Sequence, residues 1–103
     1  MVLHMGPTDA AEALRWIQEA VANGRYITHP HIQKRFVERR ISLWELKQAV
    51  RAATSCAPYE RKSIAGGTNW RVTGKTRDGD TLTVGVEAFV DHLGRRALLI
   101  TVF

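Results

Sequence analysis

The stretch from residue 81 to residue 103, TLTVGVEAFVDHLGRRALLITVF, decides the fold of this chain. Apolar residues alternate with others in its first half, at Leu82, Val84 and Val86. Such alternation is typical of a strand that buries one face. Residues 97–103 are almost wholly apolar, as expected of a strand that is central in its sheet. The stretch therefore predicts two antiparallel strands joined by a short turn.

The sheet extends toward the N-terminus of this stretch. Residues 69–74 are predicted to form another strand, and the sequence RDGD at residues 77–80 carries a strong hairpin signal. Threonine, valine, glycine and aromatic residues dominate after Pro58. We expect residues 56–103 to form an antiparallel sheet of about three to four strands.

Three helices are predicted in residues 9–55, before the sheet. Capping boxes begin the first helix at Asp9 and the third at Ser42, each with a glutamate three residues later. Pro30 suits the first turn of the second helix, where its missing N–H costs nothing. The predicted bounds are about residues 9–23, 30–39 and 42–55. Helices followed by an antiparallel meander predict an α+β fold.

Length and composition limit the class of protein. At 103 residues and 45% hydrophobic, the chain suits one globular domain, residues 1–103. Its apolar runs are too short for a membrane span, and its first residues carry no secretion signal. The single cysteine, Cys56, cannot form an internal disulfide, which is consistent with a reducing cytoplasm. We expect a cytoplasmic protein whose residues 1–8 are disordered.

The positive charge is concentrated in one quarter of the chain. The net charge is +5, with an isoelectric point near 10. Residues 25–51 hold seven basic and two acidic residues, and the remainder is balanced at eight of each. This concentration points to a polyanion or an acidic protein as the partner.

A helical stripe lies within this basic segment. His31, Arg35 and Arg39 are each four residues apart, which places all three on one face of the second helix. Two permanent cations and an imidazole in line favour an anionic ligand alongside, and RNA phosphate is the obvious candidate. The alternative is a solvated helix face that tolerates a histidine.

Residues 31–42, HIQKRFVERRIS, resemble the H-A-x-x-R-M-x-x-R-G-I-S signature of a bacterial family of unknown function, related to BrnT-like and RelE-like toxins. The second half is similar to that family as well, in WRVTG at residues 70–74 and in the closing ITVF at 100–103. Arg40 departs from the pattern, because it replaces the usual glycine. An arginine at this position indicates one of two things. Either the turn between the helices needs no left-handed residue, or the turn is strained because it lacks glycine.

The resemblance implies a RelE-like or BrnT-like fold, with the helices packed on one face of the sheet. Toxins of that type are similar to metal-independent endoribonucleases and are held inactive by a cognate antitoxin. The resemblance thus implies RNA, including ribosome-bound mRNA, and an antitoxin as partners. It implies no membrane association.

RNA cleavage without a metal needs a base for the 2′-OH proton, cations for the phosphorane and an acid for the leaving oxygen. His31 is the predicted base or acid. Arg35 and Arg39 are predicted to clamp the phosphate, and Arg71 to approach it from the sheet. Structural alternatives exist for each of these roles. His31 could brace the start of its helix, the helical arginines could pair with Glu38, Glu87 or Asp91, and Arg71 could be an ordinary strand residue.

Four further residues are predicted to bind the substrate: Lys34, Arg40, Trp70 and Thr101. Trp70, like Trp44, could stack on a base, although large aromatic residues are more often part of a core. Thr101 could donate a hydrogen bond to phosphate or simply fill its strand.

No cofactor or metal is predicted. His29 and His31 diverge by about 200° on a helix, with no cysteine or carboxylate cluster nearby. The competing function is a non-catalytic binding module that uses the same basic face for nucleic acid or an acidic protein.

Overall fold

The computed structural model describes residues 6–103 and shows an α+β fold, as predicted, with three helices and a five-stranded mixed sheet. No helix in this part of the chain is long and apolar enough to cross a membrane. The elements, in chain order, are α1 (Ala10–Ala22), β1 (Tyr26–Thr28), α2 (Pro30–Arg39), α3 (Leu43–Ala52), β2 (Ser55–Pro58), β3 (Thr68–Lys75), β4 (Thr81–Asp91) and β5 (Gly94–Val102).

The helices begin where the capping signals predicted. The Asp9 carboxylate accepts the main-chain N–H of Glu12, which satisfies one donor of the first turn of α1. At α3, Ser42 and Glu45 form the complete reciprocal capping box. The third helix ends at Ala52, slightly before the predicted 54–55, because the chain turns there into a strand.

The number of strands exceeds the predicted three to four, whereas the antiparallel pairing predicted for the second half of the chain is observed in β2–β5. The sheet order is β1-β5-β4-β3-β2, and β1 runs parallel to β5. Two strands are additional to the three named above. Strand β1 lies in the β-prone sequence RYIT at residues 25–28, which predicts only a brief extended segment, and β2 ends at Pro58. Both are short edge strands, where proline is tolerated, and too brief for an alternating pattern. Strand β4, and not residues 97–103, occupies the centre.

The chain before α1 packs against the sheet. Pro7 is buried, and its main-chain oxygen accepts the Thr68 hydroxyl at 2.6 Å. This hydrogen bond and the close packing of Gly6 on Ala88 place residues 6 and 7, from the segment expected to be disordered, against β3 and β4. The rest of the segment expected to be disordered, residues 1–5, lies outside the described residues.

The three helices cover one face of the sheet and form the main core with it. Trp16 of α1 is 6% exposed, and its indole N–H donates to the main-chain oxygen of Arg96 at 3.0 Å. The Gln18 amide donates to the main-chain oxygens of Val50 and Ala53, which links α1 to the end of α3. Burial of these apolar faces is the main favourable term in folding.

The opposite face of the sheet, here called the outer face, is covered in part by the loop of residues 59–67. Ala65 of this loop packs on a small buried cluster formed by Phe89, Leu98 and Ile100. The outer face next to this cluster remains open and carries polar and charged side chains. The strand residues of the candidate site lie on this face, whereas α2 packs on the opposite face with the other helices.

Gly74 is predicted to be indispensable for stability. A Cβ at this position would lie 1.9 Å from the main-chain oxygen of Ala49, so α3 rests directly on β3. We expect Gly74→Ala to lower the free energy of unfolding by about 3 kcal/mol, measured by denaturant unfolding. Gly24→Ala is the control, because Gly24 has φ of +71° but open space around it. It should cost only about 1 kcal/mol. Equal losses in the two variants would contradict the packing argument.

Candidate functional site

The stripe on α2 exists as predicted, and its two ends are exposed. His31 and Arg39 are exposed and Arg35 is half-buried. His31 and Arg39 are separated by about 12 Å along the helix axis, at 1.5 Å per residue. This distance exceeds the size of a single phosphate group. The stripe therefore suits several successive phosphates better than a single phosphate.

The imidazole that caps α2 belongs to His29 and not to His31. His29 is the N-cap, and its Nδ1 accepts the main-chain N–H of His31 at 3.1 Å. The alternative that His31 braces the start of its helix was therefore wrong. The His31 side chain forms no hydrogen bond or ion pair within residues 6–103, which leaves it free to meet a ligand.

Arg35 forms an ion pair with Glu38, which is one of the structural alternatives given above for the helical arginines. Its guanidinium lies 3.2 Å from the Glu38 carboxylate, three residues on. An exposed pair of this kind contributes about 0–1 kcal/mol, so a phosphate could displace the carboxylate at little cost. The Arg35 Nε is buried and has no hydrogen-bond partner.

Arg39 and Arg71 meet at the same residue, Phe103. The Arg39 guanidinium donates to the main-chain oxygen of Phe103. The Arg71 guanidinium carbon lies 4.6 Å from the centroid of the Phe103 ring. Two predicted catalytic arginines, one on a helix and one on a strand, are thus brought together by a residue that the sequence did not single out.

A second aromatic ring completes this group. Tyr59 packs edge-on against Phe103, with ring centroids 5.1 Å apart and an angle of 85°. Arg71 lies over the Tyr59 ring at 5.3 Å and Arg61 at 5.9 Å. We call Arg39, Tyr59, Arg61, Arg71 and Phe103 the arginine–aromatic cluster. Cation–π contacts orient the arginines without neutralising their charge.

The sheet register explains why the cluster forms. Arg71 of β3 is paired with Gly85 of β4, and Gly85 with Thr101 of β5. A Cβ on Gly85 would lie 3.0 Å from both Tyr59 Cε2 and Thr101 Cγ2, and 3.4 Å from Phe103 Cε2. The missing side chain lets the two rings settle directly on the sheet.

Two of the predicted substrate-binding residues are buried. Trp70 is 5% exposed, and its indole N–H donates to the Thr68 hydroxyl at 2.9 Å. Its predicted stacking role is wrong for this structure, because strand alternation turns Trp70 into the core and the next residue, Arg71, outward. Thr101 is also 5% exposed and packs beneath the cluster, so it presents no side chain to a phosphate. Lys34 and Arg40 are exposed.

Arg40 adopts a left-handed conformation, with φ of 51° and ψ of 46°, at the end of α2. Among residues 6–103 it is the one non-glycine residue with positive φ. Its main-chain N–H donates to the oxygens of Phe36 and Val37, which closes the helix. Of the two possibilities for this departure from the signature, the strained turn is the one observed.

Glu87 is a buried carboxylate that the sequence analysis considered only as an ion-pair partner. It is fully buried and accepts four hydrogen bonds from the loop of residues 59–67. Burial raises its pKa, but these four bonds outweigh that effect and hold the pKa below the usual 4.5. The donors are the main-chain N–H groups of Ile64, Ala65 and Gly67 at 2.7–2.9 Å and the Ser63 hydroxyl at 3.0 Å.

These bonds anchor the loop that carries Tyr59 and Arg61. They also exclude Glu87 as a partner for the arginines of α2, and Asp91 is likewise occupied, by Arg96 at 2.8 Å. A charged residue at an alternating position in an otherwise apolar strand was the signal that could have identified Glu87.

Neither a cysteine nucleophile nor a metal cluster emerges from the described chain. Burial raises the pKa of Cys56 to about 11, so its thiol stays protonated and weakly nucleophilic at neutral pH. Within residues 6–103, no group of three or more histidine, cysteine or acidic side chains is placed to hold a metal ion.

Comparisons with protein-family models, with curated proteins and with solved structures gave no match. The functional argument therefore depends on the geometry of α2 and of the arginine–aromatic cluster.

Replacing Arg40 by glycine is expected to stabilise the protein. Glycine adopts the left-handed conformation without a Cβ clash, so Arg40→Gly should raise the free energy of unfolding by about 1 kcal/mol. Arg40→Ala removes the same charge but keeps the Cβ, and it should give no such gain. Thermal unfolding of both variants tests this prediction. An equal gain in stability in both variants would contradict it, because the gain would then come from the loss of charge.

Glu87→Gln is expected to destabilise the protein in a pH-dependent way. An amide cannot accept all four donors, so the variant should lose about 2 kcal/mol or more at neutral pH. Because the folded-state pKa is lowered, the carboxylate stabilises the fold above its unfolded pKa, and this stabilisation is lost as pH falls through the folded value. Denaturant unfolding should therefore show the two proteins converging in acid.

Glu60→Gln is the matched control, since Glu60 is exposed on the same loop. It should match the wild type at every pH. A Glu87→Gln variant whose deficit is the same in acid as at neutral pH would contradict the role given to the carboxylate.

Proposed function

We propose that this protein binds RNA on the α2 stripe and the arginine–aromatic cluster, and cleaves it without a metal. In this proposal it is a cytoplasmic RelE-like or BrnT-like toxin that a cognate antitoxin restrains. The observation that supports it best is the meeting of Arg39 and Arg71 at Phe103, beside two aromatic rings in edge-to-face contact. A free imidazole, that of His31, lies on the same helix face as Arg39.

The cluster offers both kinds of contact that single-stranded RNA uses. Guanidinium groups bind phosphate with two parallel hydrogen bonds, and bases stack on aromatic rings or guanidinium planes. Arg71, placed over Tyr59 and Phe103, combines a cation with two rings in one patch. The excess positive charge of residues 25–51 would draw the strand toward α2.

The proposed reaction is an internal transesterification. The 2′-oxygen attacks the adjacent phosphorus while His31 takes the 2′-OH proton, and the bond to the 5′-oxygen breaks. That oxygen takes a proton from water and leaves as a 5′-hydroxyl, and the other product is a 2′,3′-cyclic phosphate. The arginines stabilise the extra negative charge of the phosphorane.

Helix geometry indicates where the scissile phosphate would lie. One helical turn, about 6 Å, separates Arg35 from His31 on one side and from Arg39 on the other. A phosphate opposite Arg35 would thus have the imidazole and the Arg39 guanidinium within one turn. The following nucleotide would then reach Arg71 and the two rings.

A non-catalytic binding module is the second candidate. Arg35 is paired with Glu38 and Arg39 with the main-chain oxygen of Phe103, so both predicted clamps already have partners. Such a module would use the same basic face to hold RNA or an acidic protein.

Cleavage of a labelled oligoribonucleotide in the presence of a chelator tests the first proposal. We expect product from the wild type and none from the all-2′-deoxy oligonucleotide, which lacks the nucleophile. His31→Ala should slow cleavage by roughly 100-fold or more, as expected for loss of a general acid or base. Arg35→Ala and Arg71→Ala should weaken both cleavage and binding.

Arg15→Ala is the control for loss of charge, because Arg15 is exposed on α1 and belongs neither to the α2 stripe nor to the arginine–aromatic cluster. It should leave cleavage unchanged. Wild-type protein that binds the RNA but leaves it intact, with or without ribosomes, would refute catalysis and favour the binding module. Absence of RNA binding by the wild type would refute both nucleic-acid proposals for this face.

A further inference from the structure

A basic groove of about 590 Å³ lies between α3, the end of α1 and the turn that joins β3 to β4. It contains no residue of the arginine–aromatic cluster or of the α2 stripe. Its lining includes Trp44, Lys47, Gln48, Arg51, Lys75 and Arg77.

The charge of the groove is positive and unpaired. Four cations line it, and no acidic residue does. The described residues form only two ion pairs, Arg35–Glu38 and Arg96–Asp91, and both lie elsewhere. The neighbouring acids Asp78 and Asp80 belong to the same turn but do not line the groove. Four cations close together without carboxylate partners repel one another, and an anion would relieve that repulsion.

The two walls of the groove are fixed relative to each other. Trp44, Lys47 and Arg51 lie on one face of α3, at spacings of three and four residues. On the opposite wall, the main-chain N–H of Arg77 donates to the Gln48 side-chain oxygen at 3.1 Å. This bond ties the turn to the helix across the groove.

Trp44 adds an aromatic surface to this groove. Its side chain is 59% exposed, whereas Trp16 and Trp70 are 6% and 5% exposed. An exposed indole contributes little to the core, and its π-face can stack on any nucleobase. Trp44 is therefore placed to recognise a base where the lysines and arginines recognise phosphates.

We propose that this groove binds single-stranded nucleic acid, with a base stacked on Trp44 and phosphates held by Lys47, Arg51, Lys75 and Arg77. The inference goes beyond the proposed cleavage, because it uses none of its residues. Cations on both walls suit a strand whose phosphates repeat along its length, and the aromatic ring gives that strand's bases a partner. An acidic protein is the competing occupant that the experiment distinguishes.

The test is titration of tryptophan fluorescence with oligothymidylate of about twelve nucleotides. This probe lacks 2′-hydroxyls, so cleavage cannot interfere. Because Trp44 is the exposed indole and the other two are buried, we expect the probe to quench its emission and Trp44→Phe to abolish most of the quenching. The double variant Lys75→Ala/Arg77→Ala should need roughly tenfold more probe for half-maximal quenching. The slope of log binding constant against log salt concentration should become smaller in magnitude by about 1.4, because two phosphate contacts are lost.

Arg15→Ala and Arg71→Ala are the controls, and both should quench like the wild type. Normal quenching in Arg71→Ala separates the groove from the arginine–aromatic cluster, so either proposal can fail alone. Absence of quenching, or an equal effect of Arg15→Ala, would overturn the inference. Quenching by polyglutamate at the same concentration as by the oligonucleotide would also overturn it and would assign the groove to an acidic protein.

Discussion

The hydrogen bonding of the Glu87 carboxylate is the interaction on which the outer face of this protein depends. Four donors from residues 63–67 converge on one fully buried carboxylate. A buried charge without such donors would destabilise the folded state. The carboxylate therefore needs the donors of the loop, and the loop is held in place by the carboxylate. Because the loop is fastened there, its other end can hold Tyr59 and Arg61 over the sheet, beside Arg71 and Phe103.

The charged segment of residues 25–51 serves two separate surfaces. The helices α2 and α3 are joined at Arg40, whose left-handed conformation ends the first abruptly. As a result, Arg39 of α2 reaches the end of β5, whereas Lys47 and Arg51 of α3 line the groove near the β3–β4 turn. A single run of positive charge in the sequence thus becomes two basic surfaces, each with an aromatic residue beside it. That division suits a ligand with repeating negative charge and stackable groups.

Local signals predicted much of the fold, and they did not predict the edges of the sheet. Asp9, Ser42 and Pro30 marked the starts of the three helices, because capping depends only on residues within one turn. Strands β1 and β2 have three and four residues. The sequence predicted β1 only as a brief extended segment and did not predict β2, since each pairs with a strand that is distant in the chain. The same limit explains Trp70. Its ring could stack on a base or join the core, and only the inner and outer faces of the sheet decide between these roles.

The sequence by itself determined the α+β class, the starts of the helices and the alignment of His31, Arg35 and Arg39 on one helix face. These properties follow from periodicity and capping, which act over a few residues. Only the tertiary structure decided which of these side chains meet the sheet. Arg39 and Phe103 are 64 residues apart in the chain, and Gly85 determines where the rings rest. Such contacts depend on strand register and helix packing, which local sequence signals do not encode.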